Sequence, residues 1–423
     1  MIGKKVRHSK YGKGEVVNER YFGYEYYILF ENGIKRWVRF DEIEIIEELE
    51  HLKDNYKDDH KTNLHERYII EALRLGIVPG RFLREITYGR EKEIEKIKDW
   101  LFNENRKSFF IIYGNYGSGK THLANYIESL ALEDGFATSF IEIDSNESSF
   151  SKPKLIYKKF VSSLKCYYNK RIIRFRDIIR EAIKGGYLKD NKYFRYLYSF
   201  DNYEEFWEWL EARDSGKPYM LKSYDTPSLL NYFTSLNVYC YLISSVCWII
   251  CNVLKLKGLL IIFDEAENIN RGYDEQINKN FIFIDALDYL TKNYSILTNI
   301  EESMKLGLPF PKNSPKSALV PYVYRLPFNL KIIFTFTHMI QRFESSPYVE
   351  LEKLSPEALR SVFWKIWDIY KRVYKVEGVQ WQKDILEYLI NNSGYNRKFI
   401  KGTVEAFDLI RFENKDFLKR VWK

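Results

Sequence analysis

The chain has 423 residues, 45% hydrophobic and 17% aromatic, enough for two or three domains with cores of their own, which excludes a disordered polypeptide. Its 66 Lys and Arg exceed its 58 Asp and Glu by 8 charges, a balance that favours anionic partners. The four cysteines (Cys166, Cys240, Cys247 and Cys251) have neither metal-ligand spacing nor a companion histidine cluster, which argues against a zinc module and for buried thiols.

Residues 1–48 read as a small all-β module. Val6, Val16, Val17, the run 26–30, Trp37 and Val38 mark short strands between Gly-rich turns. The first eleven residues are basic and lack an apolar core, so a cytoplasmic protein is expected. Glutamine is confined to Gln276, Gln341, Gln380 and Gln382, a compositional hint of a thermophilic source. Residues 49–63 are highly charged with few apolar anchors and read as a linker. Helical spacing begins at Leu64 and continues through Ile69, Ile70, Leu73 and Leu75.

The most informative stretch follows. Phe109, Phe110, Ile111, Ile112 and Tyr113 read as a buried strand, and Leu123, Ala124, Tyr126, Ile127 and Leu130 as a helix. Between them stand Gly114, Asn115, Tyr116, Gly117, Ser118, Gly119, Lys120 and Thr121, with His122 next. Strand, Gly-x-x-x-x-Gly-Lys-Thr and helix together make a Walker A phosphate loop. Glycines let backbone N–H groups fold around an anion, and the helix N-terminus adds partial positive charge. Lys120 is expected to reach the β- and γ-phosphates of ATP, and the Thr121 hydroxyl to ligate Mg²⁺.

After a strand at 140–143, residues of about 145–257 are too many for a loop and read as a helical insertion. Residues 152–195 hold 14 Lys and Arg against 3 acids, with Tyr157, Phe160, Tyr167, Tyr168, Phe175 and Tyr187 interleaved. That mixture suits nucleic acid; the competing reading is a solvated helical face over an aromatic core. Residues 226–254 carry no charge, and 238–254 are long enough to suggest a membrane span. A single span would separate the phosphate loop from the downstream acids by a bilayer, so a core helix is expected instead.

Gly258, Leu259, Leu260, Ile261, Ile262 and Phe263 read as a strand buried on both faces, ending in Asp264 and Glu265. Acids at the carboxyl end of such a strand sit where α/β sheets keep their ligand chemistry. Asp264 is expected in the Mg²⁺ shell, and Glu265 as the base for the attacking water, which makes the reaction ATP hydrolysis. Residues 330–337 form a further strand ending in Thr335 and Thr337. In ATPases with an extra central strand a polar residue there senses the γ-phosphate, and alternation puts both threonines on one face. Ser355, Pro356 and Glu357 open a helical lid over 355–423, as N-cap, N1 and first-turn acid.

Several stretches together resemble the ATP-binding proteins of BREX phage-exclusion systems, which are AAA+ P-loop ATPases. They are residues 72–79, Gly89-Arg90-Glu91, the loop 114–121, 258–267, 351–357 and 397–400. Residues 3–17 and 29–33 resemble Tudor/SH3-like barrels attached to some helicases. The resemblance implies an AAA+-type α/β core over 64–354, a parallel sheet with helices on both faces. It implies that Arg397 in the lid senses the γ-phosphate and that Arg342 or Arg271 acts as a finger on a neighbouring subunit. It also implies a homo-oligomeric motor or loader on DNA, working with a helicase or nuclease in phage defence or DNA maintenance. A STAND-like signalling switch and a helicase accessory with a structural ATPase stay as alternatives.

Overall fold

Five short strands with alternating apolar residues build the amino-terminal module: β1 (Lys5–His8), β2 (Gly12–Arg20), β3 (Glu25–Phe30), β4 (Lys35–Arg39) and β5 (Ile43–Ile45). They form an antiparallel sheet in the order β4-β3-β2-β1-β5. Val6, Val16, Tyr26, Ile28, Phe30 and Val38 are buried together on one face, as a period of two requires. The computed structural model describes residues 5–8, 10–20, 25–39, 43–45, 59–77, 83–103, 109–143, 149–201, 204–213, 229, 232–292, 322–376 and 382–412. They divide into two units, one within residues 1–67 and one within 68–423. Most of the expected linker, and Val78 and Pro79 of the family motif, lie outside the described residues.

Helices α1 (Asp59–Leu75), α2 (Leu83–Ile86) and α3 (Glu91–Leu101) lead to β6 (Phe110–Tyr113), α4 (Lys120–Glu133) and β7 (Phe136–Glu142). Then come α5 (Pro153–Ser163), β8 (Lys165–Tyr168), β9 (Arg171–Arg174), α6 (Phe175–Lys184), α7 (Leu197–Phe200), α8 (Glu204–Leu210) and α9 (Tyr232–Asn252). The core closes with β10 (Gly258–Asp264), α10 (Asp274–Lys292), β11 (Leu330–Phe336) and β12 (Tyr348–Glu350). The sheet order is β12-β6-β11-β10-β7-β8-β9, parallel from β12 to β7. The β11 strand lies between the strand before the glycine loop and the strand before the two acids. This is the expected AAA+-type α/β architecture with an extra central strand.

Alternation along β10 explains its unbroken apolar run. Leu260 and Ile262 pack with α3 and α4 on one face, whereas Leu259, Ile261 and Phe263 pack with α9 and α10 on the other. Residues 232–252 of the uncharged stretch form a core helix, α9. Among the described residues α9 alone is long and apolar enough to cross a membrane, and 89% of its most apolar window is buried in the protein.

The described part of the insertion is helical with one addition: β8 and β9 form a hairpin that extends the sheet antiparallel to β7. Part of its charge is answered by acids outside the basic window. Arg176 forks Glu204 and Glu211, Arg180 pairs with Asp201, and Lys165 with Glu128. Burial opposes ionisation of Glu211, yet Arg176 and Arg213 hold its carboxyl below the usual range. Tyr157, Phe160 and Phe175 are core residues, whereas Tyr167 and Tyr187 are about half exposed, at 47% and 49%.

Among the described residues three helices follow the sheet, where the lid is expected: α11 (Pro356–Tyr374), α12 (Gln382–Asn392) and α13 (Asn396–Phe412). Ser355 caps α11 by accepting the Ala358 N–H at 3.2 Å. Ile69, Ile70, Leu73 and Ile86 share the lid's hydrophobic cluster rather than the sheet's, and Arg74 grips Asp408 through two bonds of 2.8 Å. The described part of α1 from Ile69 onward, and α2, therefore pack with the carboxy-terminal helices, whereas α3 packs on the sheet.

Candidate nucleotide-binding site

Residues 114–121 turn the chain from β6 into α4 by way of backbone that ordinary side chains resist. Gly119 has φ +104° with open space around it, so the backbone conformation itself demands glycine. Gly117 has φ +76°, and a Cβ there would meet the Tyr395 ring at 2.5 Å. Helix α4 starts at Lys120, so its free N–H groups open onto the loop. The Lys120 ammonium donates to the Gly114 carbonyl at 2.8 Å. Burial lowers its pKa, while Glu267, Asp264 and Glu265 support its charge.

Beyond β10 the acids are held by hydroxyls. Asp264 is buried, its Oδ2 accepting from Thr121 at 2.8 Å and its Oδ1 from Thr335 at 2.6 Å. Thr335 Oγ1 in turn accepts the Glu265 N–H at 3.0 Å. That bond anchors a residue in left-handed backbone, φ +56°, which turns the Glu265 carboxylate away from the strand. Burial, then the charges of Asp264, Glu142 and Glu267, push the Glu265 pKa up. A carboxyl with a raised pKa is suited to taking a proton near neutral pH.

These groups face a cleft of about 560 Å³ with two chemically different ends. One end is apolar, with Leu73, Ile77, Ile86, Tyr88, Val362 and Ile400. The other is polar, with Gly117, Ser118, Gly119, Lys120, Thr121, Asp264, Glu265, Thr337 and Arg397. Both dimensions and chemistry fit a nucleotide, with the base in the apolar chamber and the phosphates at the loop. Of the expected site residues, Tyr116 and His122 also line the cleft, whereas Gly114 and Asn115 do not. They serve by their carbonyls, which take the Lys120 ammonium. Thr335 supports Asp264, and Thr337, next on the same face, lines the cleft as a sensing residue would.

Arg397 stands at the rim, its Nη1 donating to the Tyr116 hydroxyl at 2.8 Å. Arg342 lies outside the cleft lining, paired with Asp285 of α10 and stacked over Phe281; Arg271 is exposed and also outside it. His122 Nε2 meets Thr87 Oγ1 at 2.7 Å, and the Thr87 hydroxyl donates to the Leu83 carbonyl. The imidazole is then the donor and neutral; burial and nearby Arg90 push its pKa down to about 4.

Two residues were not legible as site residues from spacing. Arg90 is buried and donates to the carbonyls of Ser118 at 3.0 Å and Glu352 at 2.6 Å. Asn396 donates to Ser118 O at 2.9 Å and accepts the Leu354 N–H at 3.0 Å. Both tie the glycine loop to the start of the lid. The motif Gly89-Arg90-Glu91 drew notice only through its family resemblance, and a lone Asn at a helix start gives no such signal.

Residues 62–184 match the family model described as BREX system ATP-binding protein BrxC/D, which bears out the resemblance over that span. The span includes the glycine loop; Asp264, Glu265 and Arg397 lie beyond it. No curated protein matches the chain. Among solved structures, the replication initiator DnaA bound to AMPPCP and single-stranded DNA is 13% identical, with a TM-score of 0.33, covering 79% of this chain and 65% of that one. AMPPCP-bound DnaA from Aquifex aeolicus gives the same values. A DNA replication initiation factor is 14% identical, with a TM-score of 0.33 over 78% of this chain and 64% of that one. The chain thus spans just under two thirds of the solved chains it matches.

Proposed function

We propose that the protein is an Mg²⁺-dependent ATPase of AAA+ type that acts on DNA. The observation that carries the ATPase assignment is the hydroxyl-linked set of Thr121, Asp264, Thr335 and Glu265 beside the glycine loop. ATP fits the cleft, with the adenine among Leu73, Ile86, Val362 and Ile400, and the phosphates against the α4 N-terminus and Lys120. Thr121 and Asp264 would hold Mg²⁺. When bound, Mg²⁺ neutralises phosphate charge and orients the γ-phosphoryl group.

The chain's own residues supply the rest. Glu265 accepts the proton of the attacking water, and Lys120 offsets the charge on the phosphates. Thr337 and Arg397 read the γ-phosphate from the sheet and the lid, which makes lid position depend on the nucleotide state. Subunits associate so that an arginine of one, Arg342 or Arg271, completes the site of the next. The amino-terminal sheet is a Tudor/SH3-like docking module, and the setting is phage defence or DNA maintenance beside a helicase or nuclease. ATP turnover by the full chain, with and without single- and double-stranded DNA, tests the proposal. Turnover that responds to DNA is expected; no turnover in either case would overturn it.

A further inference from the structure

A second cavity of about 610 Å³ adjoins the nucleotide cleft. It runs between the tip of the glycine loop and helices α12 and α13, and shares Tyr116 and Arg397 with the cleft. Three tyrosines line it with their rings well exposed: Tyr116 at 65%, Tyr388 at 42% and Tyr395 at 43%. Three cations accompany them, Arg397, Lys398 and Lys401, all exposed, with Glu405 the one acid in the lining among the described residues. No carboxylate among the described residues pairs with Arg397, Lys398 or Lys401. In the insertion Arg176, Arg180, Lys165 and Lys184 have acidic partners, whereas Lys170, Arg171, Arg174 and Lys189 have none among the described residues.

Exposed phenol rings beside cations that have no carboxylate partner among the described residues match one ligand chemistry well. Unstacked bases lie on aromatic faces, and the phosphates between them meet Lys and Arg. We propose that this groove binds single-stranded nucleic acid, an inference that rests on the DNA reading above and gives it a place on the molecule. Duplex is disfavoured because its bases are already stacked on each other.

The shared residues give the groove a mechanical consequence. Arg397 bonds to the Tyr116 hydroxyl, its backbone N–H approaches the Gly117 carbonyl at 3.4 Å, and Gly117 lies against the Tyr395 ring. The guanidinium therefore stands on the divide between the two cavities. It cannot serve a γ-phosphate in the cleft and a strand phosphate in the groove at once. Triphosphate and strand compete for it, and each weakens the other by the same factor.

The test uses the full chain with Tyr388, Lys398 and Lys401 all changed to alanine, residues that line the groove and not the cleft. Anisotropy of a fluorescent oligothymidine is followed across salt concentrations, with binding of a fluorescent ATP analogue as the check on folding. Loss of two phosphate contacts lowers the log–log salt slope by about 1.4, at roughly 0.7 each, and loss of one stacking platform weakens binding by about tenfold. The Glu265→Gln protein saturated with ATP is expected to bind the oligonucleotide more weakly than without it. Wild-type affinity and slope in the triple variant would overturn the groove while leaving the DNA reading intact. Absence of any nucleic-acid binding by the wild-type chain would overturn both. Equal binding of duplex, or equal competition by polyglutamate, would overturn the single-strand assignment, the latter pointing to an acidic protein segment.

Discussion

Replacing Thr335 with valine keeps the shape of a fully buried side chain and removes only its hydroxyl. Two bonds are lost: the one given to Asp264 Oδ1 at 2.6 Å and the one taken from the Glu265 N–H at 3.0 Å. A hydrogen bond to a carboxylate contributes about 1.5–3 kcal/mol, and the Glu265 amide lies near enough to the cleft for water to replace much of the second bond. The expected loss is about 2–4 kcal/mol. Thr335→Ser keeps both bonds and removes one methyl group, which costs about 1 kcal/mol. Urea or thermal unfolding should therefore order the proteins wild type, serine, valine. ATP turnover should follow the same order, because the Glu265 amide anchor orients the catalytic carboxylate. A valine variant as stable and as active as the serine one would refute the role given to this hydroxyl.

Lys120→Ala removes the ammonium held over the loop and should weaken triphosphate binding measured by calorimetry while leaving the fold intact. His122 has an ordinary value of 6.5 and about 4 in the folded protein, so the unfolded chain takes up the proton first as pH falls. Stability present above pH 6.5 is then lost down to about pH 4, by about 3 kcal/mol, and His122→Asn should flatten that part of the unfolding profile. Subunits of the Glu265→Gln protein should associate more strongly with ATP than without it in sedimentation. Arg342→Ala or Arg271→Ala should reduce that gain, and a monomer in both conditions would refute a shared site.

Features encoded in contiguous residues were legible in the sequence. The glycine loop, the acid pair after β10, the polar end of β11 and the Ser355 cap all depend on neighbours in the chain. So does the core character of α9, which follows from its lack of charge. What was hidden depends on contacts between distant segments. Arg90 meets the Glu352 carbonyl, Asn396 meets Ser118, and Arg74 meets Asp408, none of which any periodicity announces. The same limit applies to charge: the basic window at 152–195 looks unopposed in sequence, and the fold brings Glu204 and Glu211 to Arg176. The β8–β9 hairpin was hidden because four-residue strands carry too little alternation to stand out from a helical background.

Phosphate release from ATP by Glu265→Gln beside the wild-type chain tests the hydrolytic role of this site most directly. Glutamine keeps the size of the side chain and the cleft that receives the triphosphate, and it removes the base. Unchanged ATP affinity is expected, with turnover lower by roughly 10² to 10⁴. The wild-type rate should fall with falling pH through a value above that of an ordinary glutamate, because burial and Asp264 raise the Glu265 pKa. Turnover at the wild-type rate in the glutamine variant would contradict that role.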